Sequence, residues 1–461
     1  MRTRPAPSTT PSTAFLLLGI IALAGCVVGP AAVAPGSGAQ ASTTIPEPTG
    51  LVSATPGPAA ATAAPASPAA TLPGDATGSW DRLGNMSSPR WAFTAMELLD
   101  GRVFAIDQEA CNAMSPFGGP PHSPGPTDIL DPATGTWTAA AALNATRTGF
   151  VALRLPNSHV LVTGGNNGWY GAYSSTRLFD PATRGWAATG LLNTARLSLV
   201  GTLLADGRAL VAGGAYAEGY RDEADFLSGR ASQEHPVRTA ELYDPNTGRW
   251  TETGSLVREI VGGDAYPLPD GRVLAIGTAW STEQGDAQVY EPVQGRWTVA
   301  GRLARLPGSV SVVLADGSIL VIGGAGFTDH RPVATVRRFE PDTGVTREVA
   351  PLPAPRTGSV AVRLADGRVL VAGGTEAQRL ESGLDAPPTA TAFIYDPIRD
   401  AWATAAPMPF AVNPGQAVLL ASGDVLVTGG SIPRTEALID VCEPDAVGWT
   451  ALFTLGTTAT D

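Results

Sequence analysis

The 461-residue chain contains no lysine; all 30 of its basic residues are arginine. That removes Schiff-base chemistry at a lysine amine and the phosphate-binding lysine of a P-loop. Basic runs are missing too. At a formal net charge of -12 the chain lacks the clustered positive charge that phosphate backbones require, so no nucleic-acid partner is expected. With three cysteines and four histidines, a metal centre has few ligands to draw on, and neither a metal nor another cofactor is expected. The one strongly apolar run, Ala14 to Ala24, is too short to span a bilayer.

What is present at the N-terminus is an export pattern. Arg2 and Arg4 precede the apolar run, which ends in Leu23-Ala24-Gly25-Cys26. This tetrapeptide resembles the lipobox of bacterial lipoproteins. The resemblance implies a signal peptide over 1–25, lipidation of Cys26, and a protein exported and lipid-anchored to the cell envelope, on the outer face of the cytoplasmic membrane or on the outer membrane. Its first partner is then a membrane, through the N-terminal lipid. Residues 26–77 are mostly Ala, Pro, Thr, Ser and Gly with only Glu47 and Asp75 charged, which predicts a disordered tether.

From Arg90 a unit recurs: an alternating apolar stretch, a turn that is often Asp-Gly, a β-rich run ending in Gly-Gly, a variable loop, then Tyr/Phe-Asp/Glu-Pro and Gly-x-Trp. Its second strand appears seven times, as in DGRALVAGG (Asp206 to Gly214) and DGRVLVAGG (Asp366 to Gly374). Asp-Gly between alternating apolar runs is a hairpin signal, so each unit reads as a four-stranded antiparallel meander. The seventh unit is degraded, with VCEPDAVGW (Val441 to Trp449) as its last segment. Trp80 reads as an extra outer strand ahead of the first unit, able to close the ring on the last blade; either Trp80 or Trp449 is then surplus.

The double glycine, the aromatic of the third strand and the Trp of the fourth resemble kelch repeats, of the superfamily that includes the central domain of galactose oxidase. The expected fold is therefore all-β, a seven-bladed propeller over 78–454 followed by a short tail, 455–461. Radial stacking supports this independently, because it buries both faces of every meander.

Strand order puts the loops after the second strand of each blade on one rim with the turns that enter the innermost strand. Function usually lives in such loops. Arg90, Arg147, Arg196, Arg258 and Arg356 each open an innermost strand. They form either a ring suited to an anionic ligand or a set of structural donors to carbonyl groups. Asn166, Asn167, Trp169 and Tyr170 of the second loop, with Tyr216 and Tyr220 of the third, offer amides and aromatic platforms for a sugar or peptide. The histidines do not share a neighbourhood, the acidic loop Tyr220 to Phe226 lacks calcium-loop spacing, and Cys111 and Cys442 lie on neighbouring blades without a clear pairing.

No nucleophile and base pair is visible, so catalytic residues stay unassigned. The leading expectation is a recognition module for a carbohydrate, peptide or protein ligand. The alternatives are an exported sugar-modifying enzyme on the same scaffold, such as an epimerase, lyase or oxidase, and a structural scaffold in an envelope assembly.

Overall fold

The computed structural model describes residues 78–456 apart from 89, 91–92, 109–126, 144–146, 167–170, 218–233, 279–284, 378–385, 433–444 and 447. The described strands build seven antiparallel blades with strands a, b, c and d from the inside outward, six of them sequential meanders, and one separate two-stranded hairpin. Blade 3, for example, runs Val200–Leu203, Ala209–Ala212, Ala240–Asp244 and Arg249–Thr253. Blade 4 runs Val261–Pro267, Val273–Thr278, Gly285–Glu291 and Arg296–Leu303. This is the seven-bladed propeller expected, with the a strands around a central channel.

Each gap between blades is a separate core. Leu161 of blade 2 packs with Val211, Tyr243 and Trp250 of blade 3, and Leu370 and Ile394 of blade 6 pack with Val425, Val427 and Phe453 of blade 7. The recurring tryptophan wedges into this gap. Trp250 tilts over Tyr243 at 5.1 Å and Trp402 over Tyr395 at 4.9 Å. In most blades the indole N–H then reaches back to the preceding blade, Trp186 to the Ala141 carbonyl at 2.8 Å and Trp402 to the Ala350 carbonyl at 2.9 Å, whereas that of Trp297 has no hydrogen-bond partner.

Closure of the ring corrects the reading of the last unit. Strand c of blade 7 is Thr450–Thr454, after Trp449 rather than within Val441 to Trp449, and its outer neighbour is the N-terminal strand Ser79–Arg82. Trp80 takes the strand-d role completely. It tilts over Phe453 at 4.9 Å and donates to the Ala406 carbonyl of blade 6 at 2.8 Å. Trp449 stacks on Phe410 instead, at 4.8 Å. The first described strand and the last are thus hydrogen-bonded to each other, so the ring has no free edge at its seam.

Candidate functional site at the channel mouth

Four of the five arginines singled out by the sequence are buried inside the blades. Arg90, Arg196 and Arg356 are fully buried and Arg147 nearly so. Their wiring repeats. Arg196 Nη1 donates to the Gly213 carbonyl at 3.1 Å and to the Thr239 carbonyl at 2.7 Å, while Nη2 reaches Thr239 Oγ1 and Glu241. Arg356 does the same with Gly373 and Thr391, and Arg147 with Gly164 and Ser175. In these three the Nη groups therefore staple the end of strand b to the start of strand c, while Arg90 reaches the Ala105 carbonyl and Asp128 instead, and Nε of Arg90, Arg147 and Arg356 is buried without a partner in the protein. Burial pushes all four pKa values down; carboxylates oppose this at Arg90 (Asp128), Arg196 (Glu241) and Arg356 (Glu376). At Arg147 the value falls to about 10, and the ring of Tyr173 lies 4.9 Å from its guanidinium carbon.

Arg258 does not belong to this set. The second glycine of the preceding blade donates its N–H to the carbonyl of the arginine position: Gly165 to Arg196, Gly324 to Arg356, Gly430 to Arg90. In blade 4 the same bond runs from Gly214 to Ile260 at 2.7 Å, so Ile260 occupies the site and Arg258 lies two residues before it. Arg258 is half exposed and meets Asp286 at 3.3 Å. Where the cation is missing, its partner changes too: the position of Glu241 is held by Gln288, which accepts from the backbone N–H groups of Val257 and Arg258. A glutamate left there without an arginine would be a buried, unpaired charge.

The channel itself holds a cavity of about 390 Å³ at this rim, lined from all seven blades, with Phe93, Phe150, Ser198, Ser309, Ser359 and Gln416 on its wall. Its charged centre sits between blades 4 and 5. Asp264 and Tyr266 alternate along strand a of blade 4 and so face the same side. Arg305, from the turn into blade 5, meets Asp264 at 2.8 Å. That turn is shortened: Gly308 follows Leu303 by five positions, where Gly262 follows Leu256 and Gly358 follows Leu352 by six. The arginine consequently lies one step off the stapling position and lines the cavity instead.

Burial works against the Arg305 charge, but Asp264 and then Tyr266 outweigh it and hold its pKa above the ordinary value. Burial also pushes the Tyr266 phenol well above 10, with Asp264 adding to the effect. The phenol donates to the Ser311 carbonyl at 3.3 Å. Beside this group Ser309 Oγ, Ser311 Oγ and Arg305 Nε are buried without a hydrogen-bond partner in the protein, as is Nε of Arg90, Arg147 and Arg356; those of Arg305 and Ser309 belong to residues on the cavity wall, where a ligand or water can reach them.

A different set of residues thus carries the site from the one the sequence pointed to. Asn166 is half-buried at the end of strand b of blade 2, outside the cavity wall. Tyr216 is exposed on a small hairpin, Ala215–Ala217 with Glu234–Pro236, paired across it with His235. Asn167, Trp169, Tyr170, Tyr220, Cys26, Cys111 and Cys442 lie outside the described residues, as do the tether and the acidic loop. The repeat does not point to Arg305, which lies off the stapling position, or to Asp264, which stands where Val200, Val310 and Val360 begin the a strands of blades 3, 5 and 6.

No protein-family model matches the sequence, and no curated protein matches it. Among solved structures, a fungal alcohol oxidase of the AA5 family, in complex with copper, aligns with TM-score 0.58 at 17% identity, over 82% of this chain and 76% of that one. At that identity the likeness shows the fold alone. Among the described residues no three of His, Cys, Asp and Glu gather in one place, so these residues offer no copper centre built of such ligands. His159, His235 and His330 are not on the cavity wall, whose one carboxylate, Asp264, is engaged by Arg305.

Proposed function

We propose that this chain is an exported, lipid-anchored recognition module of kelch type that holds a polar ligand in the channel mouth, on the rim shared with the b-to-c loops. One observation carries the reading: an ion pair, Arg305 with Asp264, on the wall of an open cavity, beside polar atoms that the protein leaves unpartnered. Buried polar atoms without partners are costly, and a ligand or ordered water that satisfies them recovers that cost. A cavity of about 390 Å³ falls within the size range of small-molecule sites. The lipobox at Cys26 and the apolar run before it support export and anchoring, with the propeller starting directly beyond the tether.

A thermal-shift screen of the purified protein against neutral glycans, acidic glycans and peptides tests this, because a ligand that binds only the native state raises the melting temperature. A shift that Arg305→Gln abolishes supports it; a ligand whose shift is indifferent to Arg305→Gln places recognition elsewhere.

An enzymatic reading has one observation in its favour: Tyr266, a residue type that can serve as a general acid or base, lines the cavity with Asp264 and Arg305. The raised phenol pKa works against it. On that reading Tyr266→Phe removes turnover and leaves ligand affinity nearly unchanged.

A further inference from the structure

Around the mouth the a strands of blades 2 to 6 are entered through a residue with left-handed backbone: Gly149 (φ 64), Ser198 (φ 52), Gly262 (φ 70), Gly308 (φ 68) and Gly358 (φ 66). These residues are linked from blade to blade, Ser198 N–H to the Gly149 carbonyl at 2.8 Å, Gly262 N–H to the Ser198 carbonyl at 2.7 Å and Gly358 N–H to the Gly308 carbonyl at 2.9 Å. Four of the five are glycine, the residue that this conformation favours. Ser198 is the exception. Its Cβ makes the conformation unfavourable, and strain of this kind collects at functional sites.

A Cβ at the neighbouring Gly149 would meet the Ser198 backbone N at 3.0 Å and its Oγ at 3.2 Å, so the two residues pack closely. Ser198 is buried and on the cavity wall, in the company of Ser309, 6% exposed, whose Oγ has no protein partner. The charges of the wall cancel, since Asp264 holds one edge of the Arg305 guanidinium. An acidic ligand would have to face Asp264, and a basic one Arg305. A neutral group with a hydrogen-bond donor beside an acceptor meets both, and hydroxyls at Ser198 and Ser309 extend the same pattern.

We propose that Ser198 is a specificity-determining residue, kept in a strained conformation because its hydroxyl, with Ser309 and the Arg305–Asp264 pair, grips an uncharged polyhydroxylated ligand. This rests on the channel-mouth reading and narrows it. The test uses wild type, Ser198→Gly and Ser198→Ala, titrated with paired oligosaccharides that differ only in carrying a neutral sugar or its uronic acid, with melting curves recorded for each protein.

The expected result is binding of a neutral oligosaccharide in preference to its uronic-acid partner, weakened at least fivefold in both variants. Ser198→Gly melts no lower than wild type, because strain is relieved, while Ser198→Ala melts lower. Preference for a uronic acid that depends on Arg305 overturns the inference and leaves recognition at the mouth standing. Unchanged affinity in Ser198→Gly also overturns it. A wild type that answers none of the oligosaccharides overturns it as well, and if peptides also fail it takes the channel-mouth reading down too.

Discussion

Glu241 and Arg196 meet at 2.8 Å with both side chains fully buried, and the carboxylate also accepts the backbone N–H groups of Asn193 and Thr194. The next blade performs the same task without charge, through Gln288 beside Ile260. Removing one member of a buried pair strands the other, at about 3–5 kcal/mol, whereas replacing both can be close to neutral. Arg196→Ile is therefore expected to lower the melting temperature severely, and Arg196→Ile with Glu241→Gln to recover most of the loss. A double-mutant cycle measured by thermal unfolding checks this; additivity of the two single effects would contradict it.

The seam of the ring gives a second expectation. Trp80→Ala should cost about 3 kcal/mol, the low end for truncating a packed aromatic, because it removes both the contact with Phe453 and the bond to Ala406. Trp449→Ala should cost less, since Trp449 is not the inter-blade wedge. Melting curves of the two variants decide the order, and an equal or larger loss at Trp449 would mean that the seam is closed differently.

Much of the fold was legible in the sequence because a meander that must bury both faces repeats its constraints seven times. Asp-Gly, Gly-Gly and the Tyr/Phe to Trp spacing each answer a local need that every blade shares. The site was less legible. Residue type groups Arg258 with the stapling arginines, although the spacing from Leu256 puts Ile260 at their position. Arg305 escaped notice for the complementary reason, a turn shortened by one residue that moves an arginine from the staple to the channel. Trp80 and Trp449 could not be ranked from the sequence, because the pairing that separates them joins residues at opposite ends of the propeller.

Stability should fall in acid through the hairpin turns of the far rim. Asp100 and Asp270 have pKa values lowered below 3.8, first by hydrogen bonds from Arg102 and Arg272. Asp206 is lowered as well, burial being overcome by Arg208. A depressed folded-state pKa contributes stability that is present above the unfolded value and lost as pH falls through the folded one. The melting temperature is therefore expected to decline as pH drops below about 4. Asn at Asp100, Asp206 and Asp270 keeps an oxygen for the turn, at Asp100 the acceptor of the Arg102 N–H, and should flatten that decline; an unchanged slope would contradict the assignment.

Anchoring can be read in cells. Cys26→Ala should abolish incorporation of a fatty-acid probe and release the protein from the membrane fraction, with the propeller still folded. Labelling that persists in the variant would remove the lipobox reading.

Whether ligands are held by the cavity or by the rim arginine is decided by one titration of wild type, Arg258→Ala and Arg305→Gln with a ligand that raises the wild-type melting temperature. Hydrogen bonds to a charged group are worth about 1.5–3 kcal/mol, so Arg305→Gln should weaken binding at least tenfold, while Arg258→Ala stays within about twofold. Full affinity in Arg305→Gln, with loss in Arg258→Ala, would show that the ligand sits on the rim and that the channel pair is structural.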